Sequence, residues 1–218
     1  MARLGNARRD MARQGQHSTE GIEMISFRIT MTGTAPLLMH NSRLANPLDP
    51  MTKALKKVTG KRTKTDDDHA EVARLEHAGS LYFDNEIGPY LPSDNIWRGL
   101  LDAAKKSKRG PRIKEGIVFT TDVNPISYRG PRTLDGLWAD ENFRLMASVK
   151  VGMSRVMRCR PMFKNWSTEA EGILDPNILD LAELASIAET GGQLIGIGDW
   201  RPRYGRYTAT VAEIGETK

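Results

Sequence analysis

From Met24 to Gly33 apolar and polar residues alternate, with Ile25, Phe27, Ile29 and Met31 on one side and Ser26, Arg28, Thr30 and Thr32 on the other. That period of two predicts a half-buried strand. The short apolar run Pro36-Leu37-Leu38-Met39-His40 follows, and Asn46-Pro47 and Asp49-Pro50 then mark a loop. Met51 to Val58 reads as a short basic helix ended by Gly60. A second helix starts at Thr65, with Asp68 placed to complete a capping box, and is expected to stop near His77 and Gly79. Leu81-Tyr82-Phe83 begins a short strand. Ile96, Trp97, Leu100, Leu101 and Ala104 recur at helical spacing after Ser93 or Asp94, either of which suits an N-cap. Gly116 to Val123 reads as one strand and Pro125 to Asp140 as a turn-rich excursion. Phe143–Val151 and Ser154–Phe163 alternate and predict a hairpin across Gly152. Glu169–Leu174 is a further short strand. Asp175-Pro176-Asn177 opens a helix that runs to about Thr190 and ends at Gly191-Gly192, and Thr208–Ile214 closes the chain as a strand.

Stripped of its excursions, the order is strand, helix, strand, strand, helix, strand. That is the split β-α-β pattern of a ferredoxin-like (RRM-like) α+β domain, an antiparallel sheet with two helices on one face. Segments 24–33, 116–123, 169–174 and 208–214 are expected in one sheet, with helices near 94–107 and 177–190 on the same face. Residues 23–218 then form a single domain with insertions at about 41–90 and 128–166. Residues 41–80 are expected to project from the sheet core, because charge changes sign abruptly there and turn residues are frequent. The segment 1–22, with Arg3, Arg8, Arg9 and Arg13, reads as a flexible basic arm.

The 218 residues carry a net charge of +5, which favours polyanionic partners without selecting one. No apolar run approaches the ~20 residues of a membrane helix, and no secretory leader is evident. The single cysteine, Cys159, excludes an internal disulfide and points to a reducing cytoplasm. Arg158 and Arg160 flank it and would lower its thiol pKa if exposed, but its place in an alternating strand favours a buried side chain. His69 and His77 stand eight residues apart, too far for a one-turn metal pair, and the aspartates 66–68 suit a helix start. No metal or cofactor is expected.

The most informative stretch is Gly191 to Tyr207, where glycines, arginines and large aromatics mix. Glycine allows positive φ and close approach, arginine forks match phosphate, and aromatic faces stack on bases. No Lys-Ser or Lys-Thr pair closes the loop as in a Walker A motif, and the helix precedes the glycines, unlike a dinucleotide site. Two readings stand together: nucleic-acid contact, or tight turns with Trp200 and Tyr204 as packing. His40, beside Asn41, Ser42 and Arg43, suits phosphate contact, strand-end structure or acid–base work on a 2′-hydroxyl. Arg158 and Arg160 share one strand face, as an arginine ladder for phosphates or as a solvated face, and Arg155 faces the other way.

Three features resemble the RAMP superfamily, the repeat-associated ferredoxin-like RNA-binding proteins, and within it the backbone subunits of CRISPR effector complexes. They are the strand end Ala35-Pro36-Leu37-Leu38-Met39-His40-Asn41, the proline-led helix start Leu91-Pro92-Ser93-Asp94-Asn95-Ile96-Trp97-Arg98-Gly99-Leu100-Leu101, and the glycine loop Gly196–Arg206 before the last strand. The chain also resembles small bacteriophage proteins, which implies a bacterial host cytoplasm. The resemblance implies a non-catalytic protein that binds single-stranded RNA or DNA and assembles along the strand as a homo-oligomer or filament. The residues expected to bind nucleic acid are His40, Arg43, Arg98, Arg158, Arg160, Gly196, Gly198, Trp200, Arg201, Arg203, Tyr204 and Arg206. Two alternatives are a metal-independent endoribonuclease of the CRISPR RNA-processing type and a structural or host-interaction protein.

Overall fold

The computed structural model describes residues 23–215; the N-terminal segment read as a basic arm lies outside them. The chain runs β1 (Ile25–Gly33), β2 (Leu37–Leu38), α1 (Pro50–Thr59), α2 (Asp66–Ser80), β3 (Phe83–Asp84), β4 (Gly88–Pro92), α3 (Ser93–Lys106) and α4 (Gly110–Gly116). It continues through β5 (Ile117–Phe119), β6 (Val123–Ser127), α5 (Leu134–Ala139), β7 (Arg144–Val151), β8 (Ser154–Phe163), β9 (Ser167–Leu174), α6 (Leu181–Thr190) and β10 (Tyr207–Glu213). The result is an α+β fold. Its larger sheet has the order β10-β1-β9-β6-β4-β3, with β5 also pairing β9. All of these pairings are antiparallel. A smaller sheet joins β2, β8 and β7.

The alternation in β1 sets the layers. Phe27, Ile29 and Met31 are fully buried, in one core with Ile96, Leu100 and Ala104 of α3 and Leu184, Ile187 and Ala188 of α6. Burying each large side chain contributes about 1.5–3 kcal/mol, so α3 and α6 are held on the same face of the sheet. On the opposite face, registered rows cross the sheet: Thr208, Thr32 and Ser167; Thr210, Thr30 and Glu169; Ala212, Arg28 and Glu171. Arg28 is bonded to Glu171 there (Nη2–Oε1 2.5 Å). These rows carry hydroxyls, carboxylates and the Arg28 guanidinium, with no aromatic ring among them.

Several local expectations are corrected. Ser93 does not cap α3: its hydroxyl donates to the Thr121 carbonyl and accepts from Asn124 Nδ2 (3.0 Å), tying the helix start to the β5–β6 turn. Helix α2 runs past His77 and Gly79 to Ser80, because a Cβ at Gly79 would sit 2.7 Å from Leu44 and the glycine serves that contact. The Thr65–Asp68 capping box is present. The strand expected over 116–123 is the shorter β5, with Gly116 still in α4, and the excursion that follows it contains β6, which starts at Val123, and α5. The last long helix begins at Leu181 because Asp175 turns the chain through Asn177 and Asp180 supplies the cap. It ends at Thr190 with Gly191 as its C-cap, as the glycine pair implies. Gly191 stays helical, and a wider turn continues to Ile195, since a Cβ at Gly192 would meet the Tyr207 carbonyl at 2.1 Å. Residues 41–80 add no strand to the larger sheet; α2 covers β8, whereas β3 and β4, which follow, extend that sheet.

His77 lies buried under this cover, its Nε2 3.1 Å from the Phe143 carbonyl and its ring edge-on to Trp138. Burial holds its pKa below the ordinary value; the Phe143 contact opposes that shift and the nearby Arg144 adds to it. The folded protein therefore takes up this proton less readily than the unfolded chain, whose histidine titrates near ~6.5. Its contribution to stability is complete above that pH and is lost as pH falls toward the folded-state value. Urea midpoints are expected to drop between pH 7.5 and pH 5, and His77→Gln is expected to flatten that dependence. A His77→Gln profile parallel to the parent's would assign the acid sensitivity elsewhere.

Candidate nucleic-acid interface

The loop 196–206 is fixed on the segment after β1 by main-chain bonds. Asp199 N donates to Leu38 O (2.8 Å), Gly205 N to Pro36 O (2.8 Å), and Thr34 N to Arg206 O (2.8 Å). Within the loop Ile197 N donates to Gly205 O (2.9 Å). Such close approach leaves no room for side chains. A Cβ at Gly198 would lie 2.3 Å from Leu38 O, and one at Gly196 2.7 Å from Tyr204 O, at φ values of +78° and +73°. Gly196 and Gly198 thus have protein neighbours that account for them, and their contribution to any ligand site is the shape of the loop.

The side chains of the same loop point differently. Arg201, Arg203 and Arg206 are exposed, and Trp200 and Tyr204 are half-buried with ring centres 6.2 Å apart. The Arg203 guanidinium lies 5.4 Å from the Tyr204 ring centre, and that of Arg160 lies 5.9 Å from Trp200. Each ring is therefore within cation–π range. Trp200 itself adopts φ +52°, a conformation costly for a bulky residue, and Asp199 Oδ1 accepts its N–H at 3.0 Å. Trp200, Arg201 and Pro202, with Asp102, Leu194 and Gly198, line a cleft of about 520 Å³.

The remaining expected residues divide into two groups around this loop. Arg160 is buried, with Nε 2.8 Å from Asp199 Oδ2, and so buttresses Trp200 from below. Arg158 binds the buried Glu76 (Nη1–Oε1 2.5 Å), whose other oxygen accepts the Cys159 N–H at 2.9 Å. The two arginines do not stand free as a ladder: each already has a carboxylate partner. His40 is exposed beside them, its Nδ1 3.4 Å from Ser80 Oγ. Burial of part of the ring, then the positive field of Arg160, lower its pKa, so the ring is neutral at pH 7. Cys159 is buried and its thiol is pushed up to about 11 by burial, which leaves it unreactive.

On the other side of Trp200, Arg98 of α3 bonds Asp102 (3.2 Å), which also receives Lys105 (3.0 Å) and faces Arg201 (3.5 Å). Arg43 sits apart on the turn Ser42–Ala45, paired with Asp49 (3.2 Å). The structure therefore gathers His40, Arg158, Arg160, Trp200, Arg201, Arg203 and Tyr204 into one region, with Arg98 at its margin. Asp199, Asp102 and Glu76 organise it and were missed from sequence. Asp102 was findable from its spacing to Arg98 and Lys105 on one helix. A carboxylate among the arginines of the loop also signalled a partner for Asp199, whereas nothing in the α2 pattern distinguished Glu76. No helix among the described residues is long and apolar enough to cross a membrane. No family model matches the chain, and no curated protein matches it.

Proposed function

We propose that the protein binds single-stranded nucleic acid, RNA or DNA, without cleaving it. The observation that carries this reading is the loop 196–206, which exposes Arg201, Arg203 and Arg206 and also carries the half-buried rings of Trp200 and Tyr204, with Arg203 within cation–π range of Tyr204. Arginines neutralise the backbone while ring faces take bases at about 1–3 kcal/mol each, with little sequence preference. We read the framework as ferredoxin-like and of the RAMP kind. In support, β10, β1, β9 and β5/β6 stand in the order fourth, first, third, second, with α3 and α6 as the two crossover helices. Assembly along the strand as a homo-oligomer, in a bacterial host cytoplasm, belongs to the same reading. The β7–β8 hairpin gives it a physical footing: Val151, Met153 and Met157 are exposed on an arm extending from the smaller sheet.

A labelled single-stranded RNA and its DNA counterpart, titrated by fluorescence anisotropy at several salt concentrations, test the proposal. Binding that weakens linearly in log–log form with salt is expected for one or both. The absence of binding to either polymer would sink it and favour a structural or host-interaction role. The endoribonuclease reading draws on the neutral, exposed His40 beside Arg160, a state suited to a general base. RNA cleavage in EDTA that disappears in His40→Ala would establish that reading instead.

A further inference from the structure

A second cleft, of about 790 Å³, opens where the solvent face of the larger sheet meets the chain around 128–130, 140–143 and 164–166. Its floor begins with three hydroxyls in register across adjacent strands, Thr32 of β1, Ser167 of β9 and Ser127 of β6. Two exposed cations, Arg129 and Lys164, line its walls. Lys164 Nζ donates to Asn142 Oδ1 at 2.8 Å, which anchors the ammonium at the cleft. Asp140 is the only carboxylate among the lining residues, and it accepts from both nitrogens of Asn142, backbone and side chain, at 2.9 Å. That carboxylate is thus turned to Asn142, and the lining keeps a net positive charge from Arg129 and Lys164. Buried edges of Tyr128, Phe143 and Trp166 close the apolar side.

We infer that this cleft binds a phosphate monoester carried on a nucleoside. The two cations and the hydroxyl row match a compact dianion with several acceptor oxygens, because charge-assisted bonds to phosphate are the strong ones. The volume falls in the range of roughly 300–1,000 Å³ typical of small-ligand sites, far more than phosphate alone fills. The apolar side takes the rest of the molecule. The site does not depend on strand binding by the glycine loop, since none of the loop residues lines it. The phosphate has two sources, a free mononucleotide or the terminus of a strand.

Isothermal titration with adenosine 5′-monophosphate, and with adenosine as control, tests the inference. The parent is expected to bind the nucleotide at least about tenfold more tightly than adenosine. Arg129→Gln/Lys164→Gln is expected to lose that preference. Both cations are exposed, so the fold should survive, and each single variant should show an intermediate loss. Arg201→Ala/Arg203→Ala/Arg206→Ala should keep parental nucleotide affinity even where strand binding fails. A 5′-phosphorylated oligonucleotide that outbinds its 5′-hydroxyl twin in the parent, and not in the double variant, identifies the strand terminus as the source. Equal binding of the twins, with the mononucleotide preference intact, identifies the free nucleotide. Equal affinity for nucleotide and adenosine, no nucleotide binding by the parent, parental affinity in the Arg129/Lys164 variant, or loss of nucleotide binding in the loop variant would each overturn the inference.

Discussion

Replacing Arg201, Arg203 and Arg206 together by alanine is expected to weaken single-stranded nucleic-acid binding and to flatten its dependence on salt. Each phosphate contact on a single strand contributes about 0.7 to the slope of log affinity against log salt, so three lost contacts lower it by about 2. Arg201 is the weakest contributor, because it also faces Asp102 at 3.5 Å and donates to Gly196 O at 3.4 Å. If it stays with those partners, the slope falls by about 1.4, the share of the other two. The variant should fold: Arg203 and Arg206 are exposed, and Asp102 retains Arg98 and Lys105. Surface pairs of this kind contribute only about 0–1 kcal/mol each. The measurement is anisotropy at several salt concentrations on the folded variant, and unchanged affinity with unchanged slope would remove the loop as the binding site.

The strands next to the core were legible because inner and outer positions differ. The alternation in β1 repeats in the structure with Phe27, Ile29 and Met31 buried, and β10 alternates more weakly behind the buried Tyr207, whereas β7 buries no residue and β8 buries Cys159, Arg160 and Pro161 in succession. The capping box at Thr65 located α2. Legibility failed where tertiary contacts overrode local signals. Ser93 has the chemistry of a cap, yet its hydroxyl serves Thr121 and Asn124, which are close only once β4 and β6 have paired. Gly79 has the chemistry of a helix stop, yet α2 runs on to Ser80 and the glycine is needed where Leu44 packs against it. The same limit governs the site. The loop's arginines and aromatics were visible as a cluster, but not that Arg158 and Arg160 are held by Glu76 and Asp199. Those carboxylates come from a helix and a loop distant in sequence from β8. Charge in a strand pattern shows which face it occupies, not which partner awaits it there.

The glycines of the loop offer the sharpest separation between architecture and ligand contact, and Gly205→Ala is the substitution with the largest expected effect on stability. Gly205 is buried at φ +70°, and a Cβ there would lie 1.7 Å from the Ile197 carbonyl oxygen, itself the atom next to the bond that closes the loop. Neither rotamer change nor a small side-chain shift relieves a clash with backbone. The chain must instead break the Ile197–Gly205 and Gly205–Pro36 bonds, and a loss above about 4 kcal/mol is expected. Gly152, at the tip of the β7–β8 hairpin, is the control. It has φ +60° but open space around it, so Gly152→Ala carries only the left-handed penalty of about 1–2 kcal/mol. Urea unfolding of the two variants measures the difference directly. Were Gly205→Ala as stable as Gly152→Ala, the loop would not be packed on the segment after β1 as described. The exposure of Arg201, Arg203 and Arg206, which depends on that packing, would then lose its structural basis.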